Sequence, residues 1–162
     1  MLLIAAVLSA NAQGGYSIRH YSVSVLVNKD ASLDITETID VDFTESRHGI
    51  YRMIPYKYPM EALPKGSEKA DRQLESNGYA QTIIENVNVE GWDYSVSNSG
   101  NYKKIKIGDK DKLVFGMQQY VIHYRMLNAI NFFKDKSELY FNIIGDGWDA
   151  NIDSVYFSIN LY

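Results

Sequence analysis

The sequence predicts an all-β chain folded as an antiparallel β-sandwich, immunoglobulin-like or related, with one long irregular insertion. Three observations carry this. Seven or eight short stretches alternate apolar and polar residues at a spacing of about 8–12 residues, turn-forming residues cluster between them, and hardly any stretch repeats at the helical period. A length of 162 residues suits one domain, and 46% hydrophobic against 22% charged residues excludes a disordered tail. Without cysteine the chain takes no disulfide stabilisation, so it must rely on its core. A chain of this size buries about 68–70% of its unfolded surface, which is enough.

The first two strands form the firmest prediction. Tyr21, Val23, Val25 and Val27 alternate, Asn28, Lys29, Asp30, Ala31 and Ser32 supply a turn, and Leu33, Ile35, Ile39, Val41 and Phe43 alternate again. Glu37 falls on the apolar face of the second strand, where an unpaired carboxylate is costly. It needs a partner, and the sequence offers Arg47, Arg52 or a nearby cluster of backbone donors. Residues 44–55 hold two arginines, a histidine and a glycine with little periodicity, and read as a structured loop or irregular edge strand. The excursion at 56–79 carries Pro59, Pro64, Lys65, Gly66, Asn77 and Gly78, the composition of an exposed, loosely packed insertion.

Strand signals resume at 82–91, with Ile83, Val87 and Val89 alternating. Residues 94–97 and 102–107 then make a hairpin around Asn98, Ser99, Gly100 and Asn101, with Ile105 and Ile107 facing in and Lys104 and Lys106 facing out. After a turn at 108–112, a longer strand over 117–126 places Tyr120, Ile122 and Tyr124 on one side. Residues 127–136 read as an apolar loop, 138–144 as a strand, and 145–153 as a turn into a last strand at 154–162, where Val155, Phe157, Ile159 and Leu161 share a face.

The ends predict a destination. Residues 1–12 give a short apolar run closing on the small-x-small pair Ala10 and Ala12, the form of a secretory signal peptide cut before Gln13, although the basic start of such a peptide is missing. The mature domain is then 13–162. Its alternation is still running at Tyr162, so the expectation is an N-terminal piece of a longer protein with a membrane tether further on.

Sites of chemistry are scarce. No nucleophile elbow, phosphate-cradling glycine loop, HExxH helix or cysteine knuckle is present. His20, His48 and His123 sit in three separate segments, so a shared zinc ion would require all three to converge. Asp146, Asp149, Asn151 and Asp153 crowd oxygen side chains into one loop, as a calcium ion requires, though Asp and Asn are equally the ordinary residues of turns. That loop is the one cofactor candidate. Lys103, Lys104, Lys106, Lys110 and Lys112 are interrupted by Asp109 and Asp111 in a chain of net charge −4, which argues for a solvated face and against nucleic acid. Trp92, beside Gly91 and Asp93 in a turn, and Trp148 are the candidates for a ligand-stacking surface, the alternative being core packing.

Four segments together resemble a known family. They are Ser32-Leu33-Asp34-Ile35-Thr36-Glu37-Thr38-Ile39 followed by Phe43, then Arg47-His48-Gly49-Ile50-Tyr51-Arg52-Met53-Ile54-Pro55, then Tyr120-Val121-Ile122-His123-Tyr124, then Glu138-Leu139-Tyr140-Phe141-Asn142-Ile143-Ile144-Gly145 with Trp148. They are similar to the N-terminal domain of the bacterial predicted membrane proteins called domain of unknown function 2207. Phe141 stands where that family suggests tryptophan. The resemblance implies a signal peptide, an extracytoplasmic β-rich domain and transmembrane helices beyond it, and it supplies no reaction.

The resulting expectation is a non-catalytic, membrane-anchored envelope module in the periplasm or at the cell surface, binding a protein or a glycan. Its signature of Glu37, Arg47, His48, Gly49, Tyr51 and Arg52 is expected to be structural, with an arginine neutralising Glu37 and Gly49 permitting a turn. The rival expectation is an envelope hydrolase or glycan-processing enzyme using Glu37 with His48 or Asp34. Strand alternation already sets Asp34 on the face opposite Glu37.

Overall fold

The computed structural model describes residues 14–59, 65–66 and 78–162. The predicted signal peptide, and residues 60–64 and 67–77 of the predicted excursion, lie outside them. Among the described residues there is no helix. The strands are β1 (Tyr16–Val27), β2 (Leu33–Arg47), β3 (Ile50–Pro55), β4 (Lys57–Pro59), β5 (Tyr79–Gln81), β6 (Ile83–Val89), β7 (Tyr94–Ser99), β8 (Tyr102–Ile107), β9 (Val114–Leu127), β10 (Ile130–Phe132), β11 (Ser137–Leu139) and β12 (Val155–Leu161).

A five-stranded sheet in the order β12-β1-β2-β9-β6 faces a three-stranded sheet, β3-β8-β7, and the short ribbons β4-β5 and β10-β11 complete the chain. The β1–β2 turn is built as its composition suggests: Asp30 Oδ1 accepts from the backbone N and hydroxyl of Ser32, and Ala31 takes φ 65°. From Leu33 to Phe43 every second residue of β2 is buried, so one face enters the core intact. Ile18, Tyr21, Val23 and Val25 of β1 and Tyr120, Ile122, Tyr124 and Met126 of β9 flank it, and Ile50, Ile54, Ile105 and Ile107 close over it from the smaller sheet. Each such aliphatic side chain contributes about 1.5–3 kcal/mol by leaving water.

Several elements depart from the pattern read in the sequence. Residues 50–55 are a regular strand paired along its length with β8, because the alternating inward row is Ile50, Arg52, Ile54 and a charge at its centre disguises it. In β6 the buried residue is Ile84 and Ile83 is 47% exposed. A bulge with Asn86 at φ 53° shifts the phase between Glu85 and Asn88, so Val89 faces in further along. Residues 130–132 form a strand inside the predicted loop. Of the predicted 138–144 strand only Glu138 and Leu139 pair; beyond Leu139 the chain runs irregularly while Phe141, Ile143, Ile144 and Trp148 still pack on the core. The last strand lies parallel to β1, a single departure from antiparallel pairing among the described strands. Its row Val155, Phe157, Ile159 and Leu161 stays 41–81% exposed as part of the sheet's outer edge.

Candidate functional site

Glu37 occupies the middle of β2, opposite Val23 on β1 and Ile122 on β9, with its side chain in the core. Four donors meet it there. Arg52, arriving from the facing sheet on β3, donates Nε to Oε2 at 2.7 Å and a terminal nitrogen to Oε1 at 2.8 Å. The hydroxyls of Tyr21 on β1 and Tyr124 on β9 donate to Oε2 and Oε1, each at 2.7 Å. Glu37 and Arg52 are both wholly shielded from solvent. The other terminal nitrogen of Arg52 donates to the Met53 carbonyl. The guanidinium also lies 5.9 Å from the ring centres of Tyr21 and Trp148, which meet edge to face.

This is a saturated network: a bidentate ion pair plus two phenols fills both carboxylate oxygens. Burial alone lowers the arginine's affinity for its proton, yet the Glu37 charge and hydrogen bonds together with Tyr21 and Tyr124 more than reverse this, and the net shift is upward. Burial, and then the same carboxylate charge, push both Tyr21 and Tyr124 well above the ordinary tyrosine value. The expected partners of Glu37, an arginine or a cluster of backbone donors, leave out both tyrosines. A signal for them exists, since both share its inward parity on the strands either side.

The other signature residues lie at the rim. Arg47 ends β2 and sits over the Tyr16 ring, with Glu45 3.9 Å away, so Arg52 alone of the two arginines meets Glu37. The His48 Nδ1 is bonded to the carbonyls of Asp109 and Lys112, and because both are acceptors Nδ1 carries the proton. Gly49, at φ 132°, lies against the Ile107 carbonyl, and Gly108, at φ 122°, lies against the His48 carbonyl. A Cβ at either glycine would collide with backbone. Tyr51 is 52% exposed beneath the Lys104 ammonium, and with Arg47, His48 and Lys106 it lines an open cleft of about 320 Å³.

The two tryptophans are half-buried and packed. Trp148 donates to the Ile144 carbonyl, and Trp92 stacks on Tyr120 at 4.6 Å and donates to the Gln119 carbonyl, with His48 across a cleft of about 180 Å³. The aspartate loop diverges: Asp146 accepts from the Tyr102 hydroxyl and Asp153 from Arg19, on opposite sheets. Among the described residues no group of three histidine, aspartate or glutamate side chains converges as a metal site would. His20 bonds Ser154, and His123 bonds Thr36 and Glu90. Asp34 pairs with Arg125 and Asn28 on the outer face, which lowers its pKa chiefly through the arginine hydrogen bond.

One more concavity has no signal in the sequence. Tyr58, Tyr102 and Tyr140, from β4, β8 and the segment after β11, converge on a cleft of about 490 Å³. The composition of the excursion argues for an exposed, loosely packed loop, which hides Tyr58.

Comparison with known proteins gives a family and little else. No curated protein matches. Among solved structures, the M1 zinc metallopeptidase from Deinococcus radiodurans is similar at 10% identity and a TM-score of 0.38, covering 70% of this chain and 20% of its own. Native leukotriene A4 hydrolase from Saccharomyces cerevisiae gives 8% identity and the same score over 70% of this chain and 15% of its own. The chain thus spans about a fifth of the first of these proteins, and similarity this low carries no argument about fold or chemistry. Among the described residues no helix is long and apolar enough to cross a membrane. A family profile described as predicted membrane protein (DUF2207) N-terminal domain matches residues 17–161, nearly the whole chain, and the chain therefore belongs to that family.

Proposed function

We infer that the chain is a non-catalytic, extracytoplasmic module of a membrane-anchored envelope protein, holding a protein or glycan partner on its surface. The supporting observation is the state of Glu37. A general acid or nucleophile must reach substrate, and this carboxylate is sealed in the core with four hydrogen bonds to Arg52, Tyr21 and Tyr124. The other two groups that an enzyme reading would recruit are engaged elsewhere: His48 with the turn after β8, and Asp34 with Arg125 on the outer face. A set of shallow, aromatic-lined clefts stays open to a partner, which suits holding more than turnover. Membership in a predicted membrane protein family agrees with the tether.

Two measurements test the reading. A phosphatase reporter fused after Tyr162 is expected to be active in cells, since that enzyme works only outside the cytoplasm; a silent reporter with a normally accumulated fusion overturns the location. Glu37→Gln, kept under conditions where it stays folded, is expected to retain partner capture. Loss of a measurable hydrolysis by that variant, set against a hydrolytic wild type, overturns the non-catalytic role.

A further inference from the structure

We propose that the cleft between β4, β8 and the segment after β11 is a saccharide-binding site for a neutral pyranose chain; this names the partner class of the binding reading and rests on it. Three tyrosines from distant parts of the sequence wall it, and two are fixed. The Tyr58 hydroxyl donates to the Pro55 carbonyl at 3.1 Å, and the Tyr102 hydroxyl donates to Asp146 Oδ2 at 3.0 Å. Tyr140 is 54% exposed. Burial, with Tyr140, Asp146 and Tyr102 close by, pushes the Tyr58 phenol up to about 12, so it stays a neutral donor at any physiological pH.

A second observation adjoins the cleft. A cavity of about 20 Å³ shares Tyr58 and Tyr140 as walls with the cleft and is lined further by Thr82 and Asn131. Asn131 is 2% exposed, and its Nδ2 has no hydrogen-bond partner among the described residues. A buried amide donor left this way is costly, and its place in a cavity that shares two tyrosine walls with the cleft points to a ligand oxygen or a bridging water.

The chemistry of the walls selects among ligands. A pyranose ring offers apolar C–H faces to the tyrosine rings and a ring of hydroxyls to the polar rim, here Asn101, Asn142 and Asp146. Lys57 and Asp146 both line the cleft, so neither charge dominates and a neutral sugar is matched better than an anionic one. A proline-rich peptide also favours tyrosine-lined grooves, but its prolines carry no N–H to donate to the Asp146 carboxylate, as sugar hydroxyls do.

The test titrates the whole chain, by calorimetry and by amide NMR, with triacetylchitotriose, maltotriose and a proline-rich decapeptide. One of the sugars is expected to bind and to shift amides around Tyr58, Tyr102 and Asn131. Tyr140→Ala is expected to weaken it by about tenfold, the scale of one lost aromatic contact. Asn101→Ala, an exposed rim change that leaves the fold alone, should weaken it as well, and Tyr51→Ala at the other cleft should not. Sugar affinity unchanged in both Tyr140→Ala and Asn101→Ala overturns the site. So does no sugar binding up to about 10 mM, or peptide binding at the same amides in place of sugar. New reducing ends appearing with the wild type would instead overturn the non-catalytic reading and leave the site standing.

Discussion

Arg52 reaches from β3 across the core to grip both oxygens of Glu37 on β2, at 2.7 and 2.8 Å, and so ties the two sheets together with charge at the centre of an apolar interior. Removing one charge from water costs several kcal/mol, and only a filled set of partners compensates for that. The pair therefore matters through what its loss leaves behind.

Glu37→Gln and Arg52→Met are each expected to destabilise the fold by about 3–5 kcal/mol, because each strands the other charge in the core. The double variant is expected to lose less than the sum of the singles by more than about 1 kcal/mol. Urea unfolding of all four proteins checks this; a melting temperature unchanged by Glu37→Gln contradicts it.

Two buried tyrosines of β9, with Ile122 between them in the inward row, should respond oppositely. The Tyr124 hydroxyl serves Glu37, so Tyr124→Phe is expected to cost about 1–3 kcal/mol. The Tyr120 hydroxyl is buried with no hydrogen-bond partner among the described residues, and Tyr120→Phe is expected to be neutral or slightly stabilising. Paired denaturant melts decide it, and equal losses would refute the network.

Alkali should expose the same network. Burial first and the Glu37 charge second raise Tyr21 and Tyr124 above 10.0 in the folded chain, whereas the unfolded chain titrates near that ordinary value. Their stabilisation is complete below pH 10.0 and is lost as pH rises from there through the folded values, since only the unfolded chain releases the protons. Unfolding free energy measured from about pH 8 to 11 is expected to fall at the alkaline end, and less steeply in Tyr124→Phe.

Gly49→Ala is expected to destabilise by about 1–3 kcal/mol or more, since φ 132° and the Ile107 carbonyl both resist a side chain. Gly100→Ala, also at positive φ but facing open space, should cost less. Equal melting temperatures would remove the structural role assigned to Gly49.

Much of the larger sheet is legible in the sequence. Alternation in β2 is unbroken from Leu33 to Phe43, and the turn before it is written in Asp30 and Ser32, both of them local features. The need of Glu37 for a cation can likewise be read from its inward parity. Where reading fails, a local rule is broken for a distant reason. Arg52 stands where an apolar residue belongs and hides β3, the bulge at Asn86 slips the phase of β6, and Phe141, Ile143 and Ile144 pack without pairing.

The sequence by itself determined the fold class, the family and the demand for a charge partner at Glu37, because periodicity, composition and a buried carboxylate are properties of single segments. Only the tertiary structure decided that Arg52 and not Arg47 answers it, that two tyrosines complete the shell, and that Tyr58, Tyr102 and Tyr140 share a cleft. Those residues lie 15 to 87 positions from Glu37 or on three separate elements. Sheet pairing sets β1 and β9 within about 5 Å of β2 and so brings the two tyrosines beside Glu37, whereas packing of separate sheets against one another brings Arg52 across to it and gathers the three tyrosines of the cleft.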